Sequence, residues 1–178
     1  MLFATHLLVA AGLGWLSGRP RVRRRFAGGA TPTLSTAPSL SVRWLVAGAA
    51  LPDVIDKPLG VLGVFAVYQS VGHSALLVPL AVALAARHRH GLAVAVGWGS
   101  HLALDAVHVI VNGRASDALF LAWPVLTRSD PLAIPPGEFA LFYVGTPSFF
   151  LEAALWLTAI LLALRSRIAA GADRERGQ

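Results

Sequence analysis

The stretch "GLAVAVGWGSHLALDAVHVIV" (residues 91–111) contains only three side chains that can carry charge, His101, Asp105 and His108. A bilayer core asks about 20 predominantly apolar residues of a helix, so this segment reads as a membrane-spanning helix. His101 and Asp105 stand at i and i+4 with His108 at i+7, which puts all of them on one helical face. An ionisable group at bilayer depth costs roughly 2.5–3.5 kcal/mol on insertion scales and therefore faces a partner, a cavity or a metal. One segment thus sets both the class of the protein and the place to look for its chemistry.

The rest of the chain agrees with that class. Of its 178 residues 56% are apolar and 13% charged, with mean hydropathy +0.65, too few charges to cover a soluble globule of this size. The expected fold is all-α: a polytopic transmembrane helical bundle of about five spans. These fall at 2–17, 42–54, 72–86, 91–111 and 148–164, with a short re-entrant or interfacial segment at 118–126 ending near Trp123 and Pro124. Pro52 and Pro58 keep the second span short, because proline breaks a helix interior. The first run is not a cleaved signal on this reading, since its positive charge follows the apolar stretch instead of preceding it. Residues 1–178 form a single integral membrane domain with a basic loop at 18–43 and a polar tail at 165–178.

The net charge of +6 and the run Arg19, Arg21, Arg23, Arg24 and Arg25 invite a nucleic-acid reading, but no recognition motif accompanies them. Charge asymmetry across a membrane explains them better. With the N-terminus outside and the C-terminus cytoplasmic, the loop 18–43, the corner 87–90 and the tail hold twelve of the fifteen Lys and Arg, as the positive-inside rule requires. Lys57, Arg114 and Arg128 are left outside. The expected location is the cell membrane, multi-pass, with membrane lipids as neighbours and no nucleic-acid partner.

In that orientation His6, Asp53, Asp56, His73, His101 and Asp105 all fall in the outer half, although four separate spans deliver them. Nitrogen and oxygen donors in this mixture suit zinc, manganese or iron; with no cysteine in the chain, thiolate ligation is excluded. His6, Asp53, His73, His101 and Asp105 are the candidate metal ligands, with Asp53 also able to bridge two ions. Asp53, Asp56 and Lys57 are the candidate catalytic residues: Asp56 as general base or as the group that orients a ligand, Lys57 as the cation that steadies developing negative charge. His108 is a further candidate ligand or supporting donor. Glu152 either lines the cavity or reaches water, and Gly14 and Gly18 are spaced for a close helix contact.

The ordered set "THLLVA", "ALPDVIDKP", "VGHSALL", "GWGSHLALD" and "LFLAWPV" resembles the family of predicted membrane-bound metal-dependent hydrolases of bacteria and archaea, also described as LexA-binding, inner-membrane-associated hydrolases. The resemblance covers about residues 5 to 125. It implies that His6, Asp53, Asp56, His73, His101 and Asp105 are the metal and catalytic residues. The chain departs from the family pattern before His73, where Tyr68, Gln69 and Ser70 stand in place of His-Arg-Gly and Gly72 in place of Thr, and its second Asp comes one residue late. The expected function is a metal-dependent hydrolase using a divalent ion, zinc or manganese, on a small lipid-linked or amphiphilic substrate, a phosphoester being one candidate. The competing expectations are an ion- or metal-coupled transporter and a catalytically inert metal-binding scaffold.

Overall fold

In the computed structural model, residues 1–19, 39–126, 134 and 136–176 are described, excepting the side chains of 136 and 169–176. The basic residues Arg21, Arg23, Arg24 and Arg25 of the loop 18–43, Arg128, and the last two residues of the tail lie outside the described residues.

All the regular structure among the described residues is helical. In chain order it comprises α1 (Phe3–Ser17), α2 (Val42–Val61), a 3₁₀ turn (Ala75–Leu77) running into α3 (Val78–Arg87), α4 (Arg89–Val111), a 3₁₀ segment (Ala115–Ala122), α5 (Pro136–Tyr143) and α6 (Pro147–Arg176). Two helices are long and apolar enough to cross a membrane, α4 and the Pro147–Ile168 part of α6; α1 and the apolar piece Ala75–Arg87 are shorter. The expected second span ends at 54, yet α2 continues through Pro52 and Pro58 to Val61. Each proline withdraws one backbone donor from the carbonyls of Gly48 and Val54 and crowds that carbonyl with its ring, and α2 accommodates both. Likewise the segment 165–176, expected as a polar tail, prolongs α6 to Arg176.

The bundle is organised around α4, against which α2, α3 and α1 lie. The α2–α4 contact is close because glycine sits on both sides of it. A Cβ at Gly97 would collide with the Leu45 carbonyl, and one at Gly48 with that of Val94, so the backbones meet as they do at small-residue contacts between membrane helices. Of the two glycines in and just after α1, Gly14 faces Val42, while Gly18 meets no neighbouring helix closely. Helices α2 and α4 end alike: Gly63 and Gly113 have φ of +71° and +75°, and the next amides, Val64 and Arg114, bond back to the Leu59 and Val109 carbonyls at 2.9 and 2.8 Å. This is the left-handed glycine stop. It delivers Arg114 to the same end of the bundle as Asp53 and Asp105.

Burial is inverted relative to a water-soluble domain. The buried hydrophobic residues are few, centred on Ala10, Leu45, Ala49 and Ala93, while Thr5, His6, Asp56, Ser70, His73, His101, Asp105, Ser148 and Glu152 are all buried. Leu80 and Val82 of α3, Val54 of α2, and Leu157, Ile160, Leu161 and Ile168 of α6 point outward. In water such a surface greatly exceeds the apolar patches monomers tolerate; in lipid it is the expected one.

Candidate metal centre

Asp56 organises the centre from behind. Its carboxylate is fully buried and accepts the backbone N–H groups of Ser70 (2.7 Å), Gly72 (2.9 Å) and His73 (3.2 Å), so the segment between α2 and the Ala75–Leu77 turn wraps around it. The chain can approach this closely because residue 72 is glycine: a Cβ there would stand 2.8 Å from the Pro52 Cα. The same carboxylate takes His73 Nδ1 at 2.7 Å. Since Asp56 is surrounded by donors, the imidazole donates through Nδ1 and turns the Nε2 lone pair forward. Asp56 itself does not face the other donors.

His101 is set by a parallel device from α4. Its Nδ1 lies 2.7 Å from the Ala49 carbonyl, which can only accept, so Nε2 is again the lone-pair nitrogen. His6 of α1 stacks on the His101 ring with centroids 3.8 Å apart. Three helices and one irregular segment therefore supply the convergence. His73 Nε2 lies 3.2 Å from His101 Nε2, 3.4 Å from Asp105 Oδ2 and 3.6 Å from Asp53 Oδ1. His101 Nε2 lies 3.5 Å from Asp105 Oδ2 and 4.0 Å from Asp53 Oδ1. His6 Nε2 is 3.2 Å from Asp105 Oδ1.

The donor set fits a divalent cation. A tetrahedral ion bound at ~2.0–2.2 Å spaces its ligand atoms roughly 3.3–3.6 Å apart, which is the spacing of His73, His101 and Asp105. Two imidazole nitrogens facing each other at 3.2 Å beside two carboxylates call for a proton or a cation between them, and their spacing suits a cation. The residues fall into two groups close enough to hold an ion, His6, Asp53 and His101, and His73, His101 and Asp105. His73 and His101 have the backing that metal-bound imidazoles ordinarily have, a carboxylate behind one and a carbonyl behind the other.

Around the centre lie positive and amide groups. Lys57 Nζ is 3.5 Å from Asp53 Oδ1, one helical turn along α2. Gln69 donates its amide to Asp105 Oδ2 at 3.1 Å, and the Met1 amino group is 3.4 Å from Asp105 Oδ1. Asp53 and Asp105 open into a cleft of about 490 Å³ whose lining also includes Lys57, Arg114, Leu2, Phe3, Phe120 and Trp123. Arg114 pairs with Asp117 at 3.3 Å.

Several polar residues lie elsewhere. Glu152 neither lines the cleft nor reaches water: it is buried and accepts from the Thr5 and Tyr143 hydroxyls and from the Leu2 amide at 3.2 Å. His108 lines the cleft and pairs through Nδ1 with Ser148 Oγ at 2.8 Å, so it is tied to α6 and not to the convergence. His88 and His90 sit at the opposite corner, where His88 Nδ1 caps α4 by accepting the His90 amide at 3.1 Å. Gln69 and the Ala49 carbonyl are parts of the centre that sequence reading missed. The sequence signals for Gln69 are its position four residues before His73 and its place where the resembled family pattern has Arg. A backbone carbonyl gives none.

Comparison with protein-family models, with curated proteins and with solved structures gave no match.

Proposed function

We propose that this chain is a membrane-bound metal-dependent hydrolase that cleaves an amphiphilic substrate, with a phosphoester the best-fitting bond, at the outer membrane–water boundary. The observation that carries the reading is the cluster of His and Asp acceptors opening through Asp53 and Asp105 into a cleft with apolar walls and two cations, Lys57 and Arg114, each beside a carboxylate, Asp53 and Asp117. Apolar walls suit an acyl or polyprenyl chain, and the cations suit an anionic head group. The outward apolar surface supports a multi-pass bundle of five spans, with α1, α2 and α3 completing what α4 and α6 begin. The positive-inside bias supports the N-terminus outside. The ordered motifs that resemble the membrane-bound metal-dependent hydrolases support the same class.

A divalent ion bound here, zinc or manganese, would supply Lewis acidity and acidify water toward neutral pH. The rest belongs to the protein. His73 and His101 present fixed Nε2 lone pairs because Asp56 and Ala49 hold their other nitrogens. Asp56 acts through His73 as a positioning residue. Asp53 borders the cleft beside Lys57; on this reading it would hold the ion through one oxygen and take up a proton on the other, while Lys57 would steady the negative charge that develops on the bond being cut.

The test is hydrolysis of phospholipid and polyprenyl-phosphate substrates by detergent-purified protein loaded with zinc or manganese, beside Asp53→Ala/His101→Ala. Turnover and metal should be lost together in the double variant. Turnover that survives both chelation and the double substitution would overturn the proposal, and metal flux into vesicles without turnover would replace it with transport.

A further inference from the structure

Resting on the metal-binding reading above, we infer that the centre holds two divalent cations and that Asp105 bridges them. The donors fall into two overlapping triads that share His101. His101 cannot serve both, because its Nδ1 is committed to the Ala49 carbonyl and a neutral imidazole then has one lone pair left. Its Nε2 is closer to His73 Nε2 (3.2 Å) and Asp105 Oδ2 (3.5 Å) than to Asp53 Oδ1 (4.0 Å), so it belongs with His73.

Asp53 Oδ1 also stands 3.6 Å from His73 Nε2, but it falls with His6 in the second group; with His101 assigned to His73, that group of His6 and Asp53 lacks a third ligand, and Asp105 supplies it. The two oxygens of Asp105 face different histidines: Oδ2 faces His73 and His101, while Oδ1 faces His6 at 3.2 Å. A carboxylate with one oxygen on each side is the ordinary bridge between two hard or borderline cations. One ion is thus held by His73, His101 and Asp105, the other by His6, Asp53 and Asp105. His6 is 1% exposed and its Nδ1 has no hydrogen-bond partner, so its ring is not held from behind as the rings of His73 and His101 are. The His6 ion is therefore the weaker one. Two ions side by side suit in-line displacement at phosphorus, where attacking and leaving oxygens both need stabilising.

The experiment is metal counting on the full chain in detergent, with elemental analysis after loading by zinc, and paramagnetic resonance after loading by manganese. The intact protein should carry about two ions per chain. The manganese form should give the hyperfine pattern of an exchange-coupled pair, not that of isolated ions. His6→Ala and His73→Ala should each lower the count to about one, and a manganese titration should fill the His73 ion first. About one ion per chain in the intact protein, with an isolated-ion spectrum, would overturn the bridge and leave the single-metal reading standing. Complete absence of bound metal would remove both. Because the intact protein alone decides between these outcomes, a variant that fails to fold does not weaken the test.

Discussion

Two buried polar networks lie within the same small bundle, and they differ in how their hydrogen bonds close. Around Glu152 donors and acceptors match: the carboxylate receives Thr5, Tyr143 and the Leu2 amide, and Trp156 in turn donates to Thr5 at 2.9 Å. Beside it Asn112 donates to Ser148 Oγ at 2.8 Å while accepting the Ser148 amide at 3.1 Å. Around Asp105 the acceptors crowd together, with His73 and His101 presenting lone pairs to each other at 3.2 Å. A closed network fastens α6 to α1 and α4 and asks for nothing more. An open one, even with the Met1 amino group, Gln69 and Lys57 at its edge, leaves two imidazole nitrogens facing each other, and a cation between them would relieve that. That difference separates a clamp from a site more sharply than residue type does, because both networks are built from ionisable and hydroxyl groups in apolar helices.

The strongest way to break the comparison is to add and remove metal. Zinc or manganese at ~1,000 times its dissociation constant should stabilise the folded protein by about 4 kcal/mol, read as a rise in thermal midpoint in detergent. Glu152→Gln should keep that gain, whereas His101→Ala should lose it. An equal rise in His101→Ala would mean that the cluster is not where metal acts. Next in size is Asp56→Asn, which preserves shape but weakens the hold on His73 Nδ1. Metal affinity should fall ~10–100-fold, measured by competition with a chromogenic chelator; the amide oxygen can keep either the Ser70 and His73 amides of the Oδ2 side or the Gly72 amide of the Oδ1 side, so some loosening of the loop accompanies the loss. Unchanged affinity would reduce Asp56 to a loop anchor.

These outcomes bear on how far residues alone could lead. The pairing of His101 with Asp105 was legible because a long apolar stretch dictates a helix, and a helix dictates that i and i+4 share a face. The convergence of His6, Asp53 and His73 upon them was expected because ionisable groups set among apolar helical runs need partners. Three things were not legible. Asp56 turns toward the loop amides because α2 stays helical past Pro52, a matter of how α2 meets the chain around Gly72 in space. The number of spans is obscured by short apolar runs, since α1 has only 15 residues and the α3 helix proper 10, fewer than the ~20 of a full crossing. The partners of Glu152 lie 147, 9 and 150 residues away, separations no local pattern reports.

A smaller effect should come from the closed network itself. Glu152→Gln replaces an acceptor-only carboxylate by an amide that must turn an NH₂ toward the surrounding donors. Hydrogen bonds to a charged group contribute ~1.5–3 kcal/mol, so a destabilisation of about that size is expected, with the metal count unchanged. Loss of metal together with loss of stability would show that the two networks are one.

The smallest effect at neutral pH concerns Tyr143, which sits in α5 beside the clamp. Burial, and then its hydrogen bond to Glu152, push its phenol above the ordinary value of 10.0. An acid whose folded value is raised contributes stability that is whole below the unfolded value and is lost as pH rises through the folded one. Titration of Tyr143 should therefore leave stability flat from pH ~7 to ~9 and erode it above ~10, where the unfolded phenol ionises first. Tyr143→Phe should remove this alkaline slope while lowering the plateau by ~1.5 kcal/mol, the low end for a donor lost from a charged acceptor. The metal count should follow neither change. A slope that persists in the phenylalanine variant would place the alkaline loss outside the clamp. A metal count that tracks it would join Tyr143 to the open network, where its ring lies 5.5 Å from that of His108 at the cleft wall.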